Sequence, residues 1–197
     1  MTFTVDIHHH MLPDFFWRAT NEGDHPVGGI APPPWSRAST LSFLDDAGID
    51  VAVTSVSTPG VHTGDDTAAR VLARRCNELA AEMIRDRPDR FGGFACLPLP
   101  DVDGALAELA YALDDLRLDG VVLFSNARGT YLGDPRFAAL FDELQRRRAV
   151  VFVSCRQHIE ANPELTTHER MAVLGGTATK LIPRLASLRS QTQRQAS

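Results

Sequence analysis

Short apolar segments alternate with longer amphipathic segments along most of this chain, and that alternation limits the fold more than any other feature. The apolar segments predict five β-strands, at residues 2–7, 51–56, 91–98, 120–125 and 149–153. Apolar stripes at helical spacing predict helices between them, at residues 36–47, from 65 to about 88, after the capping residue Asp101, and from Asp134. Almost continuously apolar strands separated by amphipathic helices indicate a parallel sheet covered by helices.

The residues after the first predicted strand distinguish between two parallel-sheet architectures. A nucleotide-binding sheet would carry a glycine-rich phosphate loop there, whereas this chain carries His8, His9 and His10. The pattern therefore favours a TIM-type (β/α)8 barrel, in which functional residues lie at the carboxyl ends of the strands. In such a barrel, the segments that follow the five predicted strands meet at one mouth.

The three histidines predict a metal site. Side chains at positions i and i+2 of a strand point the same way, so His8 and His10 share a face and His9 points away. Two neutral imidazoles on one side of a strand end can bind one divalent cation. The alternative is a tag remnant or a chance polar turn. The run is embedded between Val-Asp-Ile and Met-Leu-Pro, which favours the metal site.

Two further polar residues are predicted at the same mouth, and each has a functional and a structural interpretation. His62 follows the second strand and either faces a substrate or is a solvated loop histidine, which is the commoner case. Asn126 follows the fourth strand and either hydrogen-bonds a substrate or satisfies the backbone of its own loop.

Residues 14–36 are predicted to form a long loop rich in glycine and proline, and loops of that length in compact domains are usually functional. Four aromatic side chains belong to it, and they are Phe15, Phe16, Trp17 and Trp35. They either form an apolar wall over the histidines or simply pin the loop to the barrel.

The composition excludes several classes of function. A net charge of −5 argues against a nucleic-acid partner, and no apolar run approaches the ~20 residues of a membrane span. The N-terminus lacks a basic stretch followed by an apolar core, so no signal peptide is expected. Cys76, Cys96 and Cys155 form no disulfide pattern, which favours the reducing cytoplasm.

Several motifs together resemble the amidohydrolase superfamily. The first is Asp6-Ile7-His8-x-His10, which is similar to the HxH metal motif on the first strand of that superfamily. Further similarity lies in Met11-Leu12-Pro13, Trp35, Gly48-Ile49-Asp50, residues 90–98 (RFGGFACLP), residues 118–123 (LDGVVL) and Tyr131-Leu132-Gly133-Asp134. The resemblance covers about residues 5–153. It is to the amidohydrolase-related branch typified by aminocarboxymuconate-semialdehyde decarboxylase and γ-resorcylate decarboxylase.

This resemblance implies a (β/α)8 barrel that binds zinc, or manganese in some members, and that decarboxylates or hydrolyses a small carboxylic acid. It assigns His8 and His10 as the two metal ligands of the first strand. The family has a further ligand histidine at the end of the fifth strand, where this chain has Ser154, and His158 is the candidate substitute. The semialdehyde decarboxylases bind the substrate carboxylate with an arginine at a position that here holds Thr40.

The resemblance also implies an incomplete barrel. Residues 1–154 are expected to form its N-terminal part, with about five parallel strands and flanking helices, and residues 155–197 a divergent or truncated helical tail. A barrel of this type typically needs about 250 residues. The tail contains no aspartate, so it cannot supply the ligand that the family takes from its eighth strand.

Three functions follow from these observations. The first is a metal-dependent carboxy-lyase or hydrolase whose partner is a small-molecule carboxylate. The second is a catalytically inactive half-barrel that pairs with a second copy, as a homo-oligomer, or with another chain, because unpaired strand edges favour association. The third is a metal-binding module without turnover.

Overall fold

A computed structural model describes residues 3–20 and 34–154, and its strands and helices alternate as the sequence predicts. The strands are β1 (Val5–His10), β2 (Val51–Ser55), β3 (Phe91–Cys96), β4 (Gly120–Phe124), β5 (Asn126–Ala127), β6 (Thr130–Tyr131) and β7 (Val151–Ser154). The helices are α1 (Asp14–Thr20), α2 (Arg37–Asp46), α3 (Asp66–Asp86), α4 (Val102–Ala110) and α5 (Ala138–Arg147). The predicted tail, residues 155–197, lies outside the described residues.

Five strands form one parallel sheet in the order β1-β2-β3-β4-β7. Neighbouring strands lie about 4.8 Å apart, so a flat sheet would separate β1 from β7 by roughly 19 Å. The ring centroids of His8 on β1 and Phe152 on β7 are nevertheless only 5.1 Å apart. The sheet therefore curls until its outer strands approach each other across the interior, as in an incomplete TIM-type barrel.

Polar caps determine where the helices begin. Ser36, Asp65 and Asp101 each accept a hydrogen bond from a backbone N–H in the first turn of α2, α3 and α4 respectively. Gly48 follows α2 with a φ of +65°, a conformation that lets the chain leave the helix and enter β2. The helix starts predicted at these positions are confirmed.

The hydrophobic core lies between the sheet and the inner faces of the helices. β2 and β3 are buried along their whole length, which explains why both read as continuous apolar runs. Three side chains that the helical stripes predicted to be inward are instead exposed, namely Phe43 (53%), Val71 (64%) and Phe141 (37%). Each lies at the margin of its stripe. None of the described helices combines the length and apolarity needed to cross a bilayer.

Two predicted loops contain regular structure. Residues 14–20, predicted as loop, form the helix α1, whose Phe16 is fully buried in the core. Tertiary packing of that side chain stabilises a helix of seven residues that local propensity alone does not favour. The antiparallel hairpin β5–β6 follows β4 and was also not predicted. The rest of the predicted long loop, residues 21–33, lies outside the described residues.

Candidate metal centre

The carboxyl ends of all five sheet strands surround one cavity of about 680 Å³. Its lining comes from His8 and His10 on β1, residues 57–62 after β2, Cys96, Leu97 and Leu99 at β3, residues 122–128 at β4 and Ser154 at the end of β7. Gly60 lets the loop after β2 approach this wall, because a Cβ at that position would lie only 3.1 Å from the Phe124 ring. The predicted convergence of the strand ends on one mouth is therefore observed.

His8 and His10 meet inside this cavity. Their ring centroids lie 4.9 Å apart in an edge-to-face arrangement. Burial and, to a smaller extent, the neighbouring His8 lower the pKa of His10 to about 4. His10 is therefore a neutral imidazole near pH 7, with lone-pair donation available, and its Nδ1 is buried without a hydrogen-bond partner among the described residues.

Asp6 forms hydrogen bonds with the histidines of the same strand. Its carboxylate accepts a hydrogen bond from the backbone N–H of His8 at 2.9 Å and lies 3.0 Å from Nδ1 of His9. Burial raises the pKa of Asp6, but these hydrogen bonds outweigh it and lower the pKa below its usual value. His9 points away from the cavity and packs against Phe43, with ring centroids 5.9 Å apart. The predicted division of the histidines between two faces is observed.

Phe152 on β7 closes the interior beneath the histidine pair. Its ring packs edge-on against His8 at 5.1 Å and stacks on Phe94 of β3 at 5.7 Å and 13°. Phe94 is 2% exposed. These two aromatic rings fill the curled sheet, and the contact with Phe152 restricts the orientation of the His8 ring.

A third metal ligand is missing from the described part of the chain. No group of three or more His, Cys, Asp or Glu side chains that could hold a metal occurs in residues 3–20 and 34–154. Ser154 lies at the end of β7 and lines the cavity, as expected for the fifth-strand position. The candidate substitute His158 lies outside the described residues.

His62 is not the solvated loop histidine that the sequence favoured, since its side chain is only 7% exposed. Its Nδ1 accepts a hydrogen bond from the backbone N–H of Gly64 at 3.2 Å, which places the ring proton on Nε2. Nε2 in turn donates to Asp66 at 2.7 Å. His62 lines the cavity, but neither of its nitrogens is free to bind a metal. No local sequence signal predicts this pair, because His62 lies in the loop before α3, where helical spacing does not apply.

Asn126 makes the backbone contact of its structural interpretation, and its substrate contact stays a prediction. Its Oδ1 accepts a hydrogen bond from the backbone N–H of Gly129 at 3.3 Å, within the β5–β6 hairpin. The residue also lines the cavity wall after β4. Its side-chain oxygen therefore supports the turn that carries the rim of the cavity.

The aromatic residues near the predicted loop pin chain segments to the core. Phe16 is buried, and Phe15, Trp17 and Trp35 pack against the core from its margin. The guanidinium of Arg75 on α3 lies 3.9 Å from the centroid of the Phe15 ring. None of the four aromatic residues is among the described lining residues of the cavity, which supports the pinning alternative.

Thr40, the position matched to the family's carboxylate-binding arginine, and Arg37, one turn before it, are not among the described lining residues of the cavity. The Thr40 hydroxyl is largely buried and donates to the carbonyl of Ser36 at 3.1 Å. Arg37 bridges to Glu82 and Asp86 on α3, with N–O distances of 2.5 Å and 2.7 Å. A carboxylate in the cavity would have to be bound by other groups.

Asn77 was missed by sequence reasoning, although it is the one amide in the apolar stripe of α3. Its side chain forms two hydrogen bonds with the backbone of Cys96 at the end of β3. Nδ2 donates to the Cys96 carbonyl at 3.0 Å, and Oδ1 accepts from the Cys96 N–H at 2.9 Å. Nδ2 also donates to the buried Glu108. These two hydrogen bonds position the end of β3, which leads into the cavity. Cys76 and Cys96 are both buried free thiols, as the sequence predicted.

Comparison with known proteins shows which family the chain belongs to. A family profile described as Amidohydrolase matches residues 5–161, most of the chain. The chain belongs to the amidohydrolase family. The resemblance that the HxH motif indicated is therefore confirmed, and the match includes every strand that contributes to the cavity.

Curated relatives of the chain are decarboxylases. Decarboxylase macB of Penicillium terrestre is 38% identical over 155 residues, which cover 76% of this chain and 46% of the relative. The 6-methylsalicylic acid decarboxylase acuB of Aspergillus aculeatus is 39% identical over 153 residues, again 76% and 46%. The γ-resorcylate decarboxylase of a Rhizobium species is 38% identical over 84 residues, which cover 42% and 26%. The chain spans less than half the length of these relatives.

Solved structures share the fold. A crystal structure of amidohydrolase II superposes with a TM-score of 0.72 at 26% identity, covering 96% of this chain and 63% of that chain. The dihydroxybenzoic acid decarboxylase of Polaromonas sp. JS666, solved with bound manganese and the inhibitor 2-nitroresorcinol, has a TM-score of 0.60 at 21% identity, with 91% and 55% covered. The predicted fold class, an incomplete TIM-type barrel, is confirmed.

Proposed function

We propose that the cavity is part of the active site of a metal-dependent decarboxylase that acts on small aromatic carboxylic acids, with His8 and His10 as metal ligands. The observation that carries this proposal is the pairing of the two rings at 4.9 Å, with the neutral His10 holding an unpartnered buried nitrogen. Decarboxylases among the curated relatives support the reaction class, and a hydrolase is the alternative within the family.

The donor set fits a divalent metal. Neutral imidazoles are ligands for zinc and for manganese, and a catalytic zinc takes about three protein ligands with one open position. His8 and His10 supply two of these ligands, and no third one joins them among the described residues. Zinc is the metal implied by the motif, whereas the Polaromonas structure contains manganese.

The residues of the chain itself suit an aromatic acid. A bound metal would supply Lewis acidity toward the substrate oxygens. Val122, Leu123 and Phe124 give the cavity an apolar wall that can pack against an aromatic ring and exclude water. His10 stays neutral above about pH 4, so one of its two ring nitrogens keeps a lone pair for metal binding.

The decisive experiment measures metal content and turnover in the purified full chain. We expect His8→Ala combined with His10→Ala to abolish metal retained through dialysis and to abolish decarboxylation of 6-methylsalicylate and γ-resorcylate. His9→Ala is the matched control, because this ring lies on the other face of the same strand. Undiminished metal in the double variant would refute the site.

A second candidate, a metal-binding module without turnover, is supported by the missing third ligand among the described residues. Metal that is retained by the unmodified chain, lost in the double variant, and accompanied by no product would select this candidate. A cytoplasmic location stays a prediction, supported by the free thiols of Cys76 and Cys96.

A further inference from the structure

The described lining of the cavity carries a positive charge and no negative one. It contains no aspartate or glutamate, and Arg128 is the only lysine or arginine in it. Two carboxylates bond to lining histidines from outside the lining: Asp66 accepts a hydrogen bond from the His62 ring, and Asp6 accepts one from the His8 backbone. Within the described lining, Arg128 is therefore the group that attracts an anion.

A tight hairpin places Arg128 at that rim. The pairs Asn126–Tyr131 and Ala127–Thr130 leave Arg128 and Gly129 as a two-residue turn. Both turn residues have positive φ, +49° and +81°, as in the type I′ turns that suit β-hairpins. Glycine and asparagine are the usual residues for such positions, whereas a long side chain in the left-handed region is uncommon. Arg117 and Arg148 also have positive φ, so this conformation alone assigns no role to Arg128; what distinguishes Arg128 from them is its place in the cavity lining.

The guanidinium of Arg128 is not engaged within the described part of the chain. Neighbouring arginines of the same segment form ion pairs, as Arg136 does with Asp134 and Arg147 with Asp114 and Glu143. Arg128 has no such partner among residues 3–20 and 34–154. Its Nη2 lies 4.0 Å from the position that a Cβ on Gly64 would take, so the side chain extends from the β4 side toward the loop after β2.

We propose that Arg128 binds the carboxylate of the incoming aromatic acid and sets the preference of the cavity for anions. The planar guanidinium fork matches a carboxylate with two parallel hydrogen bonds. This inference rests on the proposed function for the identity of the acid, but not for the anion preference. A rim contact made in the bound substrate changes KM more than kcat, because it stabilises substrate and transition state alike.

The test is direct binding, measured by titration calorimetry on the full chain with a chelator present, so that metal–carboxylate contacts do not contribute. The probe is γ-resorcylate, and resorcinol is the neutral probe with the same ring and hydroxyls. We expect Arg128→Gln to weaken γ-resorcylate binding roughly tenfold, while resorcinol binding changes less than twofold. Arg128→Lys should retain part of the affinity, and added salt should reduce the effect.

Two further variants separate this role from a structural one. Arg128→Gly replaces the residue with the one that the turn prefers, so we expect unchanged or higher thermal stability together with the same loss of carboxylate binding. Arg136→Gln removes an equal charge from a residue that does not line the cavity, and we expect it to leave γ-resorcylate binding unchanged.

The outcomes distinguish this inference from the proposed function. Binding of γ-resorcylate that is absent in the unmodified chain, or equal in the Arg128→Gln and unmodified chains, overturns the inference even if decarboxylation is observed. Selective loss of carboxylate binding in Arg128→Gln supports the inference even if the chain retains no metal and forms no product.

Discussion

Ser154 is the residue at which this cavity departs most clearly from the metal site that the HxH motif implies. It lies at the end of β7 and lines the cavity together with His8 and His10. A serine hydroxyl is a poor zinc ligand, whereas a neutral imidazole at the same strand end would give a third nitrogen donor. The absence of a third ligand at this strand end is therefore due to one side chain, and one substitution can supply that ligand.

We expect Ser154→His to raise zinc affinity by roughly tenfold or more, which corresponds to about 1.4 kcal/mol of binding free energy. Competition with a zinc-binding dye measures the change. Ser125→His is the matched control, since Ser125 also lines the cavity but follows β4. An equal gain in both variants, or no gain in Ser154→His, would show that β7 does not point its terminal side chain at the histidine pair.

Single residues also show why sequence reasoning reached only part of the site. The shared face of His8 and His10 follows from strand geometry alone, because the period of a strand is two residues. The burial of His62 does not follow in this way, since it depends on the loop folding back to bring Gly64 and Asp66 to the ring. The exposed position of Val71 likewise depends on which edge of the α3 stripe the sheet covers.

At the scale of elements, the helix α4 is fixed to α3 through its cap. Asp101 accepts a hydrogen bond from the Gly104 N–H at 3.0 Å and forms an ion pair with Arg70 of α3. The Arg70 hydrogen bond is the main reason that the pKa of Asp101 is lowered, and the Asp101 side chain is only 7% exposed. The ionised carboxylate thus stabilises both the helix start and the contact between the helices.

We expect Asp101→Asn to lower the melting temperature by about 2–4 °C at pH 7, because the amide keeps the cap acceptor but loses the charge. The folded-state pKa is lower than that of the unfolded chain, so the contribution is complete above about pH 4 and disappears as the pH falls through the folded-state value. The difference in melting temperature between the unmodified chain and Asp101→Asn should therefore become smaller at acidic pH.

Thermal unfolding of both proteins at pH 7 and at the lowest pH that preserves the fold checks this expectation. Asp103→Asn is the control, because it removes an equal charge from the same first turn of α4 at an exposed position. Two outcomes would contradict the role of the Arg70 ion pair. One is a difference in melting temperature that grows at acidic pH, and the other is an equal loss of melting temperature in Asp103→Asn.

The elements themselves were predictable to different degrees for physical reasons. Caps such as Asp65 and Asp101 and the stop at Gly48 are local, and the sequence located them. The helix α1 is short, and it forms because Phe16 enters a core made by distant segments. The hairpin after β4 depends on positive φ at two consecutive residues, Arg128 and Gly129. The sequence did not predict this turn because Arg128 stands where asparagine, aspartate or glycine is usual.

For the whole molecule, the curled sheet has two outer strands, β1 and β7, each paired on one side within residues 3–20 and 34–154. Inside the described sheet, Phe94 and Phe152 pack together. Strand edges remain the feature that favours association, since an unpaired edge can hydrogen-bond to another strand. A homo-oligomer thus stays a prediction, and the outer edges of β1 and β7 are the surfaces through which it would form.

We expect the chain to form a dimer through the outer edge of β7, where Val153 is 38% exposed. Val153→Lys should shift the chain to monomer, because a lysine on an edge strand opposes pairing with a second copy. Sedimentation velocity over a range of concentrations measures the effect. Val71→Lys is the control, as it places the same charge at an exposed valine on α3, far from the sheet edge. A monomeric unmodified chain, or equal dissociation in both variants, would exclude the β7 edge as the interface and leave the cavity to be completed without a second copy.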